Sequence, residues 1–312
     1  MESVGVYAFI GKNWRKNDFP LDLWLKHNEK LFDQVAVATH ADLDLDIGDN
    51  VIVKKIPERY VGDFRFYLYS LTESQKLLDT DWKVLMPVDE FISQRIDPSK
   101  LDKRYVYPML CRQLYGNINT EIVFDEKDPF FQYRVHYGVK PIIRDGGDVP
   151  PPYYARLSFG KLWNSMRNEL FFYKRRLSVL GTKRYPEESY LSRLIRFYYR
   201  VQYEMSKPRS PYFTLWHTGF ARNPKSFSIK SRQNMARDRD AHGKRLSTLT
   251  KALLKYSEKP KFDYASYKQI WPRAKLYKID TNALPEIIRQ NAKRFNWIKF
   301  KQKEYEKSSV PF

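Results

Sequence analysis

The sequence predicts an α/β fold built on a parallel sheet, and three observations predict it. Four short runs, Val4–Ile10, Val35–Ala38, Val51–Val53 and Trp82–Met86, are almost wholly apolar. That pattern suits parallel strands buried on both faces. Stretches of helical periodicity follow the first and third runs, giving the order β-α-β-β-α-β. The fourth run ends at Pro87 and is followed at once by Asp89 and Glu90. Carboxylates therefore stand at the carboxyl end of a strand, the edge where open α/β sheets bind ligands.

The bulk composition narrows the class. A chain of 312 residues with 42% hydrophobic and 16% aromatic residues has enough apolar surface for a proper core. No apolar run approaches the roughly 20 residues that span a bilayer, so no transmembrane segment is expected. The N-terminus lacks the basic start and long apolar stretch of a secretory signal, and a cytoplasmic location is the expectation. A single cysteine, Cys111, excludes an intrachain disulfide and a cysteine-built metal site. The formal charge of +20 attracts polyanions: nucleic acid, an anionic membrane surface, or phosphate-bearing substrates.

In chain order, Val4–Ile10 is the first strand, and Gly11 to Arg15 form a loop at its ligand edge. Leu21, Trp24, Leu25 and Leu31 mark a helix that ends near Phe32-Asp33. The second strand releases into Thr39-His40-Ala41-Asp42-Leu43-Asp44, and Val51–Val53 is the third. Phe64, Tyr67, Leu68, Leu71, Gln75 and Leu78 share one face of the next helix, with Asp63 as its N-cap. Arg65 lies in the first turn of that helix, where it either meets a phosphate or stays solvated. Asp79-Thr80-Asp81 breaks the apolar stripe, and Pro87, lacking an N–H, closes the fourth strand.

The acidic pair after that strand has two readings. It can be a turn that caps the next element. It can also hold a hard divalent cation, Mg²⁺ or Mn²⁺, which takes oxygen ligands from one or two carboxylates plus substrate phosphates. Short strands are expected beyond it at Tyr105–Leu110, Thr120–Phe124 and Phe131–Val135. Arg144-Asp145-Gly146-Gly147-Asp148 and the prolines that follow form a turn-rich loop. Residues 156–207 read as helices carrying apolar and basic stripes side by side, suited to a membrane surface, a phosphate backbone or plain solvation. From Arg222 to Lys251 the many Lys and Arg residues are opposed only by Asp238 and Asp240.

The stretch Thr80-Asp81-Trp82-Lys83-Val84-Leu85-Met86-Pro87-Val88-Asp89-Glu90-Phe91-Ile92 resembles the "TDW-apolar-DxDEF" signature of GT-A glycosyltransferases of the family 2 and family 92 type. Trp24 to Asn28, Arg112 to Asn117 and His217-Thr218-Gly219-Phe220-Ala221-Arg222 resemble other segments of that family. Pro87 stands where the family has its first Asp.

The resemblance implies a Rossmann-like nucleotide-sugar domain over residues 1–150, with an acceptor-side, basic and mostly helical region over 151–312. It implies a nucleotide-sugar donor, Asp89 as metal ligand with Glu90 beside it, and His217 as a further ligand, a residue that on its own reads as a structural histidine between aromatics. Asp42, with Asp44 behind it, becomes the candidate contact to the nucleotide base, and each is equally readable as a polar loop residue. Lys225, Lys230 and Arg232 become candidates for a loop over the diphosphate, and are equally readable as part of a solvated loop and helix. Asp145 and Asp148 are candidate bases if the reaction inverts configuration, or turn formers beside glycine.

The expected activity is metal-assisted transfer of a sugar to an acceptor hydroxyl. The charge favours a polyanionic acceptor: a modified base in DNA, a phosphate-rich glycan or a lipid carrier. The alternative from a different class is a non-catalytic nucleic-acid-binding protein on a degenerate transferase fold.

Overall fold

The structure, a computed structural model, describes residues 2–58, 70–71, 73–101, 109–123, 142–144, 213–223, 226, 268 and 273–307. The first sheet contains β1 (Val4–Ile10), β2 (Gln34–Thr39), β3 (Val51–Lys55), β4 (Trp82–Leu85) and β8 (Ile142–Arg144). Its order is β3-β2-β1-β4-β8, parallel except for β8 against β4. The chain reverses direction across the sheet between β1 and β4, and such a switch point opens a crevice outside the strand ends. The α/β class expected from the apolar runs is what the chain adopts.

Apolarity on both faces is why β1, β2 and β4 become interior strands, while β3, half-buried and ending in two exposed lysines, takes the edge. Along β1 every residue but Phe9 is buried. Helix α1 (Leu21–Leu31) covers one face through Leu21, Leu23, Trp24 and Leu25. Each such side chain taken from water contributes about 1.5–3 kcal/mol. The helix ends where Asn50 donates from Nδ2 to the Glu29 and Phe32 carbonyls, at 3.0 and 2.9 Å. Those are terminal carbonyls without a partner inside the helix. Of the second expected helix, residues 70, 71 and 73–75 are helical, while Asp63 and Arg65 lie outside the described residues.

A second sheet runs β10-β7-β6-β9-β5 and contains β5 (Glu90–Ile92), β6 (Met109–Tyr115), β7 (Asn117–Val123), β9 (Phe213–Phe220) and β10 (Lys275–Lys278). Strand β6 lies parallel to β9 and antiparallel to β7, and β5 lies antiparallel to β9. The strand expected at Thr120–Phe124 is found at Asn117–Val123, starting earlier because Gly116 turns the β6–β7 hairpin with φ 69°. Left-handed backbone of this kind favours glycine. A β-carbon at Gly116 would also stand 2.9 Å from Ile298 Cβ, because Trp297 and Ile298 both donate their N–H groups to the Gly116 carbonyl. Of the strand expected at Tyr105–Leu110 only Met109 and Leu110 are described, and Phe131–Val135 and the helices of 156–207 lie outside the described residues. The expected division near residue 150 falls there too.

The two sheets share one core. It runs from Val6 and Val84 in the first sheet through Phe91, Leu215 and Trp216 in the second. Ile288 on helix α2 (Glu286–Gln290) and Phe295 complete it. Arg294 ties this C-terminal segment to α1, donating from Nη1 to both Asp22 oxygens at 2.8 and 2.9 Å. Among the described residues, no helix is long and apolar enough to cross a membrane.

Candidate functional site

Asp89 sits where the chain leaves one sheet for the other. Strand β4 stops at Leu85, although Met86 N–H still donates to the Tyr7 carbonyl at 3.2 Å. Pro87, with no N–H, cannot extend the ladder. Its carbonyl instead accepts from Glu90 N–H at 2.9 Å, closing a turn, and Glu90 begins β5. Strand β9 fixes that turn: Thr218 donates from its N–H and its Oγ1 to the Asp89 carbonyl, at 2.8 and 3.0 Å. The Asp89 side chain is thereby pinned at the carboxyl end of β4, with only 4% of it exposed.

His217 reaches the same point from β9. It pairs in register with Glu90, and its Nε2 lies 3.3 Å from Asp89 Oδ2. The other ring nitrogen, Nδ1, is 2.5 Å from Gln113 Oε1 on β6. Gln113 donates from Nε2 to Cys111 Sγ at 3.3 Å, which turns its amide oxygen toward the ring. A carbonyl oxygen only accepts, so Nδ1 carries the proton, and in the neutral ring the lone pair sits on Nε2. A lone pair and a carboxylate oxygen facing each other repel unless a proton or a metal ion lies between them.

Gly219 makes room for that ring, because a β-carbon there would overlap the imidazole. The ring also packs edge-on against Phe220, with centroids 5.9 Å apart.

Arg222 closes the cluster. Its guanidinium donates from Nη2 to Asp89 Oδ2, donates from Nη1 to the Asn17 carbonyl at 3.3 Å, and lies over the Phe19 ring at 4.0 Å. Desolvation pulls its pKa below that of a solvated guanidinium, and the charges of Asp89 and Asp18 oppose the shift. Asn17 and Phe19 belong to the loop between β1 and α1, so Arg222 couples that loop to the carboxylate.

The expected residues divide into three groups. Asp89, Glu90 and His217 come together at the β4–β5 junction, with the Glu90 side chain buried. Asp42 and Asp44 follow β2, which β1 separates from β4. Asp42 is solvated and pairs with Lys55 at 2.6 Å, while the Asp44 carbonyl accepts from Arg15 Nη2 at 3.2 Å. Arg65, Asp145, Asp148, Lys225, Lys230 and Arg232 lie outside the described residues.

Gln113 and Arg222 are the members that the sequence reading passed over as ligand supports, although both fall in segments quoted above. One signal was available: Gln113 is a neutral polar residue inside the otherwise strand-like run Met109–Tyr115.

The cluster suits a divalent ion in part. Two neighbouring ligands about 2.1 Å from an octahedral ion stand about 3.0 Å apart, close to the Asp89–His217 spacing. Among the described residues no group of three or more His, Cys, Asp or Glu side chains could hold a metal.

No protein-family model matches the sequence, and no curated protein matches it. Among solved structures, the chain is similar to S. aureus TarS at 11% identity and a TM-score of 0.32, over 82% of this chain and 43% of that one. The chain thus spans less than half the length of TarS.

Proposed function

We propose that this chain is a metal-assisted glycosyltransferase that moves a sugar from a nucleotide-sugar donor to an acceptor hydroxyl. The observation that carries the reading is the buried Asp89–His217 pair at the carboxyl end of β4. Asp89 Oδ2 and His217 Nε2 would hold a Mn²⁺ or Mg²⁺ ion. Such an ion would supply positive charge to offset the charge that grows as a nucleoside diphosphate leaves. Gln113 keeps the His217 proton on Nδ1 and so leaves Nε2 available. The DEF motif after an apolar strand is the sequence support for the same reading.

The acceptor is polyanionic in this proposal, on the strength of the +20 charge. A DNA base, a phosphate-rich glycan and a lipid carrier all fit that description. A second reading, a nucleic-acid-binding protein without catalysis, draws on Pro87 in the first motif position and on the guanidinium already balancing Asp89.

A screen of sugar nucleotides with Mn²⁺, read as donor hydrolysis and thermal stabilisation, separates the two. One stabilising and hydrolysed donor supports the transferase. No donor response, together with DNA binding that weakens steeply with salt, supports the second reading.

A further inference from the structure

We propose that the Arg222 guanidinium and a divalent cation are alternative occupants of the Asp89 carboxylate, so that metal loading displaces Arg222 and removes its contacts with Asn17 and Phe19 in the loop between β1 and α1. This rests on the metal reading of Asp89 and His217 given above. The side chains of Asp89 and Arg222 are 4% and 2% exposed, and Arg222 Nη2 engages the same Oδ2 that faces His217 Nε2. An ion held between Oδ2 and Nε2 would place a double positive charge against a guanidinium in a site with little water to screen it. One oxygen does not serve both cations at contact distance.

The other contacts of the guanidinium are to neutral groups, with the charge of Asp18 nearby. Nη1 reaches the Asn17 carbonyl at 3.3 Å, the plane rests on Phe19 at 4.0 Å, and Nε has no hydrogen-bond partner among the described residues. A buried charge that is incompletely hydrogen-bonded carries a desolvation cost, which Asp89 offsets first and Asp18 second. Asn17 and Phe19 flank Asp18, whose backbone sits at φ 50°, in left-handed space that Asp tolerates better than most side chains. The loop borders the carboxyl end of β1, on the edge where a nucleotide would enter. Exchanging guanidinium for metal would therefore remove one tie on this loop, while Arg294, which donates from Nη2 to the Phe19 carbonyl at 3.2 Å, keeps another.

The test is Mn²⁺ titration followed by electron paramagnetic resonance, on the full chain and on Arg222→Met and Arg222→Lys. Expected is Mn²⁺ affinity at least 10-fold tighter in Arg222→Met, with Arg222→Lys between it and the unaltered protein. Hydrogen exchange on the unaltered protein covers the case in which Arg222→Met does not fold. Saturating Mn²⁺ should speed exchange at residues 17–19, beside the lost Arg222 contacts, while β1 and β4 stay protected. Equal or weaker Mn²⁺ affinity in Arg222→Met overturns the exchange of cations and leaves the metal site standing. So does loop exchange that is unchanged or slowed at saturating Mn²⁺. Absence of Mn²⁺ binding in all three proteins overturns both the exchange and the metal site.

Discussion

Gln113 Oε1 accepts a hydrogen bond from His217 Nδ1 across 2.5 Å, and this bond decides which nitrogen of the ring turns its lone pair toward Asp89. The two residues are 104 positions apart and meet because β6 and β9 lie side by side in parallel register. Partners of this kind, one bond behind a ligand, typically change metal affinity by about 10–100-fold when removed. Gln113→Leu is expected to weaken Mn²⁺ binding by about that factor with the fold retained, measured by Mn²⁺ titration beside a circular dichroism melt. Unchanged affinity would remove Gln113 from the site.

The Asp89–Arg222 pair predicts a stability signature. Removing one member of a buried ion pair leaves the other charge uncompensated, at about 3–5 kcal/mol. Asp89→Ala and Arg222→Met should each lose stability on that scale. The double variant should lose less than the sum, because no lone charge is left inside. Urea unfolding of the four proteins in a double-mutant cycle reads the coupling directly. Additive losses would mean that the two groups act independently.

Gly219 predicts a steric effect on chemistry. In Gly219→Ala the new methyl overlaps the His217 ring, so the ring or strand β9 must shift. Overpacking of this type costs about 1–3 kcal/mol. The expected result is a lower melting temperature together with weakened Mn²⁺ binding. A variant that melts lower but binds Mn²⁺ as before would show that the ring is not held in place for a ligand.

His27 predicts the pH dependence. Its Nε2–H donates to the Ile92 carbonyl at 2.8 Å, joining α1 to β5, and burial holds its pKa below 6.5. The folded state therefore keeps this ring neutral, while the unfolded chain takes up a proton as pH falls through about 6.5. Its contribution to stability is complete above that value and is lost as pH falls below it, because the unfolded state then binds the extra proton. The urea midpoint should drop between pH 7.5 and pH 5.5. His27→Gln, which keeps a donor and cannot titrate, should show a smaller drop. Identical pH profiles in the two proteins would contradict this assignment.

Arg112 predicts a structural rather than a chemical loss. It donates from Nε and Nη2 to the Glu121 carboxylate at 2.5–3.0 Å and stacks 4.5 Å from the Trp216 ring. Burial pushes the Glu121 carboxyl above its usual range, against the pull of Arg112. Arg112→Met strands that carboxylate inside, at about 3–5 kcal/mol. The deficit should shrink as pH falls, because a protonated Glu121 tolerates burial. A deficit independent of pH would place the loss in the Trp216 stack instead.

Strands β1, β2 and β4 were legible in the sequence because each is an apolar run bounded by polar turns, a pattern that burial on both faces imposes; β3, at the sheet edge, showed only its apolar start. Asp89 was legible because Pro87 ends β4 and forces a turn directly before it. Strand β9 was less so: Phe213–Phe220 mixes Thr, His and Gly with aromatics, and only its place between β6 and β5 explains why those polar groups are buried. Arg222 read as the first member of a basic run, yet it is fully enclosed, because its counter-ion lies 133 residues earlier. No local pattern carries a pairing across that distance. Gln113 was hidden for the same reason.

Asp89 and His217 are proposed to grip a divalent ion together, beside a nucleoside diphosphate. Anomalous scattering from crystals soaked in Mn²⁺ and a nucleoside diphosphate tests it most directly. The prediction is a manganese peak within about 2.5 Å of both Asp89 Oδ2 and His217 Nε2, touching the diphosphate. A bound nucleotide with no manganese at that junction, and Arg222 still seated on Asp89, would contradict it.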